Sequence, residues 1–188
     1  AWSYRQAHLG IPGDNSNSQF AILALHAAAE LGVEIEEATW KRARQYWIEC
    51  ANTDGSWGYT KDVTSGKGSM TCGGVTSLLI AAKHLPAEKN GNADECVTKG
   101  IEWLGRNFSV FENPGTGDSI WLHYYLSGIA RLGAISARRE FGRHDWYVEG
   151  SRMLVDTQDV ETGKWTNPRL QEPTVHTAFA LLFLASHE

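Results

Sequence analysis

Along the chain, apolar positions gather into blocks that read as helices of two alternating kinds. The blocks at about 17–31, 69–84, 118–132 and 174–187 are apolar nearly all the way round, which predicts helices buried on most sides. Those at about 36–51, 93–107 and 144–157 carry a single apolar stripe. In the first of these, Trp40, Ala43, Trp47 and Cys50 recur at helical spacing while Lys41, Arg44 and Glu49 fall outside it. In the second, Val97, Ile101, Leu104 and Phe108 form the stripe, and Lys99, Glu102 and Arg106 stay off it. The alternation predicts inner helices wrapped by outer ones, with strand content near zero. Asn92 followed by Glu95 reads as a capping box, Gly32 and Gly133 each follow a Leu as helix-end signals, and Pro86 stops the third helix.

The blocks repeat. Trp40, Trp47, Asn52, Gly55 and Trp57 are matched by Trp146, Met153, Gln158, Gly163 and Trp165. In both runs an aromatic stands seven residues before a large apolar residue and twelve before an Asn or Gln, and a Gly-containing turn and a Trp follow. The second run has two more residues in its turn, where insertion is tolerated best. Trp2-Ser3-Tyr4 matches Trp57-Gly58-Tyr59 and reads as the tail of a repeat whose front is missing, so the chain is expected to be part of a longer polypeptide. Some 12 to 16 residues after each Trp an inner block begins, with a small hydroxylated residue near its start at Ser18, Thr71 and Thr177. A degenerate member starts at Asp118, which gives a period of roughly 50 residues.

At 188 residues the chain fits one domain, 1–188, with a substantial core. Its 42% hydrophobic and 21% charged residues are those of a folded globule. A formal charge of −5 provides no basic footprint for nucleic acid, and no apolar run reaches the roughly 18 residues of a membrane span. Cys50, Cys72 and Cys96 are odd in number and form no close-spaced pair, which predicts buried thiols rather than a disulfide framework.

The run Asn52-Thr53-Asp54-Gly55-Ser56-Trp57-Gly58-Tyr59, after a helix bearing Trp40 and Trp47, resembles the repeat of prenyltransferase β-subunits and of squalene and terpene cyclases. The resemblance covers essentially the whole chain. It is closer still to toroid repeat domains inside large bacterial proteins, through Trp121-Leu122-His123-Tyr124-Tyr125-Leu126 and Phe141 to Tyr147. It implies an all-α fold, an α/α toroid built as a partial barrel of about seven helices in inner and outer pairs, with any site in the central hollow. A superhelical solenoid is the second architecture such helix pairs allow.

The resemblance does not bring an activity with it. The cyclases start their chemistry from an Asp-x-Asp-Asp motif, in which crowded carboxylates keep one proton. Here Asp14-Asn15-Ser16-Asn17 offers one acid and serves equally as a helix cap, and no Asp-Asp-x-x-Asp cluster is present. The prenyltransferases hold zinc with Asp, Cys and His. Val175-His176-Thr177 resembles the segment carrying the zinc His, and Cys72 begins another inner helix, but Met70 stands where the Asp would. Cys72 and His176, the two weak metal candidates, are also two repeats apart, so neither zinc nor another cofactor is expected. A polar patch of His123, Tyr124, Tyr125, Arg138, His144 and Asp145 could supply a base, an acid and an anion clamp. Tyr124 and Tyr125 diverge by about 100° on a helix, however, and His144-Asp145 also reads as a cap.

Phe20, Trp121, His123, His176 and Phe179 are the residues expected to line the hollow. An aromatic cavity of that kind suits an isoprenoid or lipid. The expected function is therefore a non-catalytic binding or interaction module for an apolar small molecule or protein segment. The alternative is an isoprenoid-processing enzyme whose catalytic residues lie partly outside this stretch.

Overall fold

A computed structural model describes residues 1–3, 13–86, 91–170 and 172–187. The described residues are mostly helical. The elements run α1 (Asn15–Glu30), α2 (Glu37–Glu49), α3 (Gly68–Lys83), α4 (Gly91–Asn107), α5 (Leu122–Ser136), β1 (Glu140–Phe141), β2 (His144–Asp145), α6 (Trp146–Thr157) and α7 (Pro173–Leu184), with a short 3-10 turn at Ala185–His187.

The odd-numbered helices form a row of neighbours in chain order, α1 on α3, α3 on α5, and α5 on α7. The even-numbered ones lie against that row: α2 and α4 pack on α3, and α6 packs on α5 and α7. The inner helices must be apolar on several sides because each meets helices of both sets. Thus α3 buries 13 of its 16 residues and α5 10 of its 15, whereas α2 buries only Trp40, Ala43 and Trp47. The expectation of burial on most sides fails for α1 and α7, which bury 4 of 16 and 3 of 12 residues, because each ends the row and has a neighbour in it on one side alone. The main core runs from Trp47 and Trp57 through Leu104, Tyr125 and Leu126 to Phe141, Leu154 and Phe183. A smaller cluster of Ile22, Trp40, Ala43, Ile80 and Leu85 joins α1, α2 and α3.

The repeat seen in the sequence is a repeat of contacts. The indole Nε1–H of Trp57 donates to the carbonyl of Trp47 at 2.9 Å, and that of Trp165 to Leu154 at 2.9 Å. Each indole thus satisfies a carbonyl in the last turns of the outer helix before it, where partners are short. The same tryptophans' backbone N–H groups donate to Thr71 Oγ1 at 3.2 Å and Thr177 Oγ1 at 3.1 Å, and Trp2 N–H donates to Ser18 Oγ at 3.0 Å. The hydroxylated position is therefore a clasp between a Trp turn and the inner helix it feeds. Trp57 and Trp165 are buried, while Trp2, with no outer helix in the chain to lie on, is 44% exposed. Tyr4 lies outside the described residues.

Units also grip their successors. Asn15 donates through Nδ2 to the carbonyl of Gly58 at 2.9 Å. Asn113 accepts the N–H of Ser69 at 2.9 Å and the carbonyl of Pro114 that of Gly68 at 2.8 Å, so the start of α3 is capped from the same loop. Asn167 donates to Ser119 in the same way, 48 residues earlier.

Several sequence expectations about boundaries are corrected. Gly133 does not end α5, which continues to Ser136 and stops at Ala137 in the left-handed region. Gly133 is small because the Trp146 indole lies where a side chain would be: a Cβ there would sit 2.6 Å from ring atoms. Asn92 falls inside α4 rather than before it, and Glu95 pairs with Lys99 at 2.6 Å, so the capping box does not form. The start expected near residue 118 moves to Leu122, because residues 113–118 form a loop of turns in which Gly115 and Gly117 take positive φ. The helix expected from residue 144 begins at Trp146, since β1 and β2 form a small antiparallel hairpin turning at Gly142. Buried Phe141 anchors that hairpin, and Gly142 presses on the backbone of Gly105 in α4. Asp14 and Asp145 are N-caps of α1 and α6, accepting the N–H of Asn17 and Val148, and Gly32 (φ +86°) closes α1 after Leu31.

Candidate functional site

A cavity of about 520 Å³ opens where the inner helices begin. Ser16 and Phe20 of α1, Ser69 and Met70 of α3, Trp121 and Tyr124 at the start of α5, and Phe179 of α7 all face it. The first turns of α1, α3 and α5 and the middle of α7 therefore surround one space. Loops complete the wall with Tyr59, Lys67, Asn113, Thr116 and Asp118.

Tyr124 organises the aromatic part. Its ring stacks with Phe20 at 6.2 Å between centroids, meets Trp121 edge-on at 6.3 Å and tilts against Phe179 at 5.3 Å. Its hydroxyl lies 2.9 Å from Ser16 Oγ and accepts from Gln19 Nε2. One α5 side chain thus touches α1 and α7 together, in front of the helices it lies between. Arg131, two turns along α5, sits over the outer face of the Phe20 ring at 5.7 Å. Phe20 and Trp121 remain 43% and 45% exposed, so large apolar surface is left to the cavity and to solvent. The polar wall is internally satisfied where it is buried: Asn113 exchanges two hydrogen bonds with Ser69, and the Thr116 hydroxyl donates to the carbonyl of Asn113. Among the described lining residues Asp118 is the one acid and Lys67 the one base.

Of the five residues expected to line a central hollow, Phe20, Trp121 and Phe179 face this cavity together. His123 and His176 are placed elsewhere, in contact with each other. Their Nδ1 atoms are 3.1 Å apart, both side chains are buried, and His176 Nε2 lies 3.2 Å from the carbonyl of Leu170. If His176 donates to Leu170, its Nδ1 is the acceptor and His123 Nδ1–H the donor, which leaves His123 Nε2 as a bare lone pair. Burial, and next the neighbouring His176, pull His123 down to about 4. So weak a base takes little part in proton abstraction near neutrality. His123 also borders a separate pocket of about 250 Å³ between α5, α6 and the Trp165 loop.

Cys72 and His176 have different surroundings. Cys72 is buried in the seam between α3 and α5, opposite Gly128. Burial raises its thiol well above the ordinary value, against a smaller lowering by Arg131, which disfavours the thiolate a metal requires. Among the described residues neither joins a group of three close donor atoms. The polar patch is dispersed as well. Tyr125 is buried in the core, Arg138 gives its carbonyl to Trp146 Nε1, His144 stacks on Phe108 and faces Glu149, and Asp145 caps α6 while pairing with Arg139.

The sequence reading missed Tyr124 as a cavity residue, together with Ser16, Ser69 and the 113–118 loop. Position was the available signal, since α1, α3 and α5 offer their first turns to the same space and Tyr124 lies in the first turn of α5. Asn113 and Asp118 lie in the degenerate repeat, which has no Trp to align on. No family model matches the chain, and neither a curated protein nor a solved structure is found to match it.

Proposed function

We propose that this chain is a non-catalytic binding module of the prenyltransferase/squalene-cyclase repeat type, curved as part of an α/α toroid and holding an apolar, isoprenoid- or lipid-like ligand, or a partner segment, on its concave face. One observation carries this reading. The aromatic rings of Phe20, Trp121, Tyr124 and Phe179, from three inner helices, cluster around a single cavity and stay partly open. Apolar walls with a few fixed polar groups are the usual make-up of a small-molecule pocket, and about 520 Å³ lies within the usual size range. Binding is favoured over catalysis because the described lining residues include no paired carboxylates and no histidine; the one acid among them, Asp118, lies 3.8 Å from Arg169. Three helix N-termini, those of α1, α3 and α5, together with Lys67 make the polar side suited to an electronegative head group.

The test is thermal melting of the purified chain with farnesyl and geranylgeranyl alcohols and diphosphates, each with and without zinc or magnesium. A ligand at 100 times its Kd adds about 2.7 kcal/mol, which is roughly 5–10 °C for a chain of this size. The expected shift is metal-independent and is lost in Phe20→Ala and Trp121→Ala, whose exposed side chains contribute little to the fold. A shift that needs zinc or magnesium points to the isoprenoid-processing enzyme instead, and absence of any shift rejects the isoprenoid ligand.

A further inference from the structure

Phe20 faces the cavity, and six residues on, roughly 9 Å further along the helix, α1 turns a different set of side chains toward α3. His26 and Glu30 are one turn apart and share a face, and His84 caps the C-terminal end of α3 beside them. His26 Nδ1 lies 2.9 Å from His84 Nε2 and 3.8 Å from Glu30 Oε1, and all three donor atoms fall within 4.8 Å of one another. We propose that these three residues form a divalent-cation site, with zinc the cation its donors suit best.

The geometry is close to what a metal would impose. Zinc–ligand bonds of about 2.0–2.1 Å at tetrahedral angles put neighbouring donor atoms roughly 3.3 Å apart. The observed 2.9 and 3.8 Å lie on either side of that separation and the third side is within 4.8 Å, so side-chain rotation without backbone movement brings the three donors together. One ligand is already held in place: the His84 ring stacks on buried Trp40 at 4.2 Å and 13° between planes, which fixes its plane with Nε2 toward His26. Burial, and then His26, lower the His84 pKa and favour the neutral ring that ligates. Two imidazole nitrogens and one carboxylate oxygen suit a borderline cation rather than calcium or magnesium, which take oxygen donors. Three protein ligands leave the fourth position to water.

One feature of the site works against the cation. Lys83 Nζ sits 3.1 Å from the same Glu30 oxygen. Both side chains are more than half exposed, so the pair is weak and Lys83 is free to swing away. Its charge lowers the affinity without blocking the site, and this gives the proposal a signature that simple packing of His84 would not produce.

The experiment uses the full chain, free of any histidine tag and stripped with a chelator. Cobalt is titrated while its visible absorption is followed, and zinc is titrated by calorimetry. The expected result is one cation per chain with the intense cobalt bands of a tetrahedral site. Binding weakens at least about tenfold in His26→Ala and in His84→Phe, which keeps the stack on Trp40 without the ligand. Glu30→Gln weakens it less, Lys83→Ala tightens it, and His144→Ala leaves it unchanged. Circular dichroism confirms that each variant is folded. No one-to-one binding up to about 100 μM zinc, hence no Kd in the micromolar range, overturns the proposal. So does binding that survives both His26→Ala and His84→Phe.

Discussion

His123 makes the fold sensitive to acid, and the size of the effect follows from its surroundings. In the unfolded chain the imidazole titrates near its ordinary 6.5, and in the folded chain near 4, chiefly because burial penalises the charged ring and then because His176 faces it. Between those values the unfolded chain binds more protons, so acidification favours unfolding. The contribution of His123 to stability is intact above pH 6.5, declines as pH falls below it, and is fully lost below about 4. Going from pH 7 to pH 5, the two titration curves differ by roughly 2 kcal/mol, or about 4–8 °C in Tm for a chain this long. Urea denaturation at a series of pH values measures this directly. His123→Asn supplies a donor near the Nδ1 position and does not titrate, so it should flatten the profile by that amount while remaining folded at pH 7. Parallel pH profiles for the wild type and His123→Asn would refute the argument, and so would an NMR titration placing the folded His123 near 6.5.

Three further outcomes test the architecture. Trp57→Ala removes a fully buried indole and its bond to Trp47 and should cost about 3–5 kcal/mol, whereas Trp121→Ala, nearly half exposed, should cost under about 1 kcal/mol by the same denaturation assay. Gly133→Ala drives a methyl into the Trp146 ring and should destabilise by about 1–3 kcal/mol, while Gly91→Ala, with open space around it, should not lower the Tm. Asn113→Ala uncaps α3 and should cost about 0.5–2 kcal/mol, with faster amide exchange at Ser69 and in the turn that follows.

The two helix sets were legible in the sequence for α3 and α5, where burial on many sides leaves a different pattern from burial on one, whereas α1 and α7 have the same apolar pattern and leave much of it exposed. The hydroxyl clasps were visible only as a coincidence of Ser18, Thr71 and Thr177, and their partner, the Trp backbone N–H, needs three dimensions. Gly133 was misread because a glycine after a leucine signals a helix end locally, whereas its cause here is an indole from another helix. Phe20, Trp121 and Phe179 were found through their ring chemistry and repeat position. His123 and His176 sit at inner-helix starts too, yet on faces turned toward each other. The His26, Glu30 and His84 cluster was not singled out: the spacing of His26 and Glu30 is a weak helical signal, and His84 reaches them only through the packing of α1 on α3.

The Asn contacts between successive units bear on how the chain responds to damage. Asn113 closes the first turn of α3 from 44 residues downstream, and Asn167 holds the segment before α5 from the unit after it. The start of α3, and the segment leading into α5, are therefore held in part by a group their own unit does not contain. Stability then behaves as a chain of nearest-neighbour couplings rather than as one global term. Melting one unit strips the cap from the unit before it, so unfolding should spread back toward the N-terminus more readily than forward. The cavity, lined by the start of α3 and by Trp121 and Tyr124 at the start of α5, inherits that directionality, and a lesion near α7 should loosen binding surface on α5 ahead of α1.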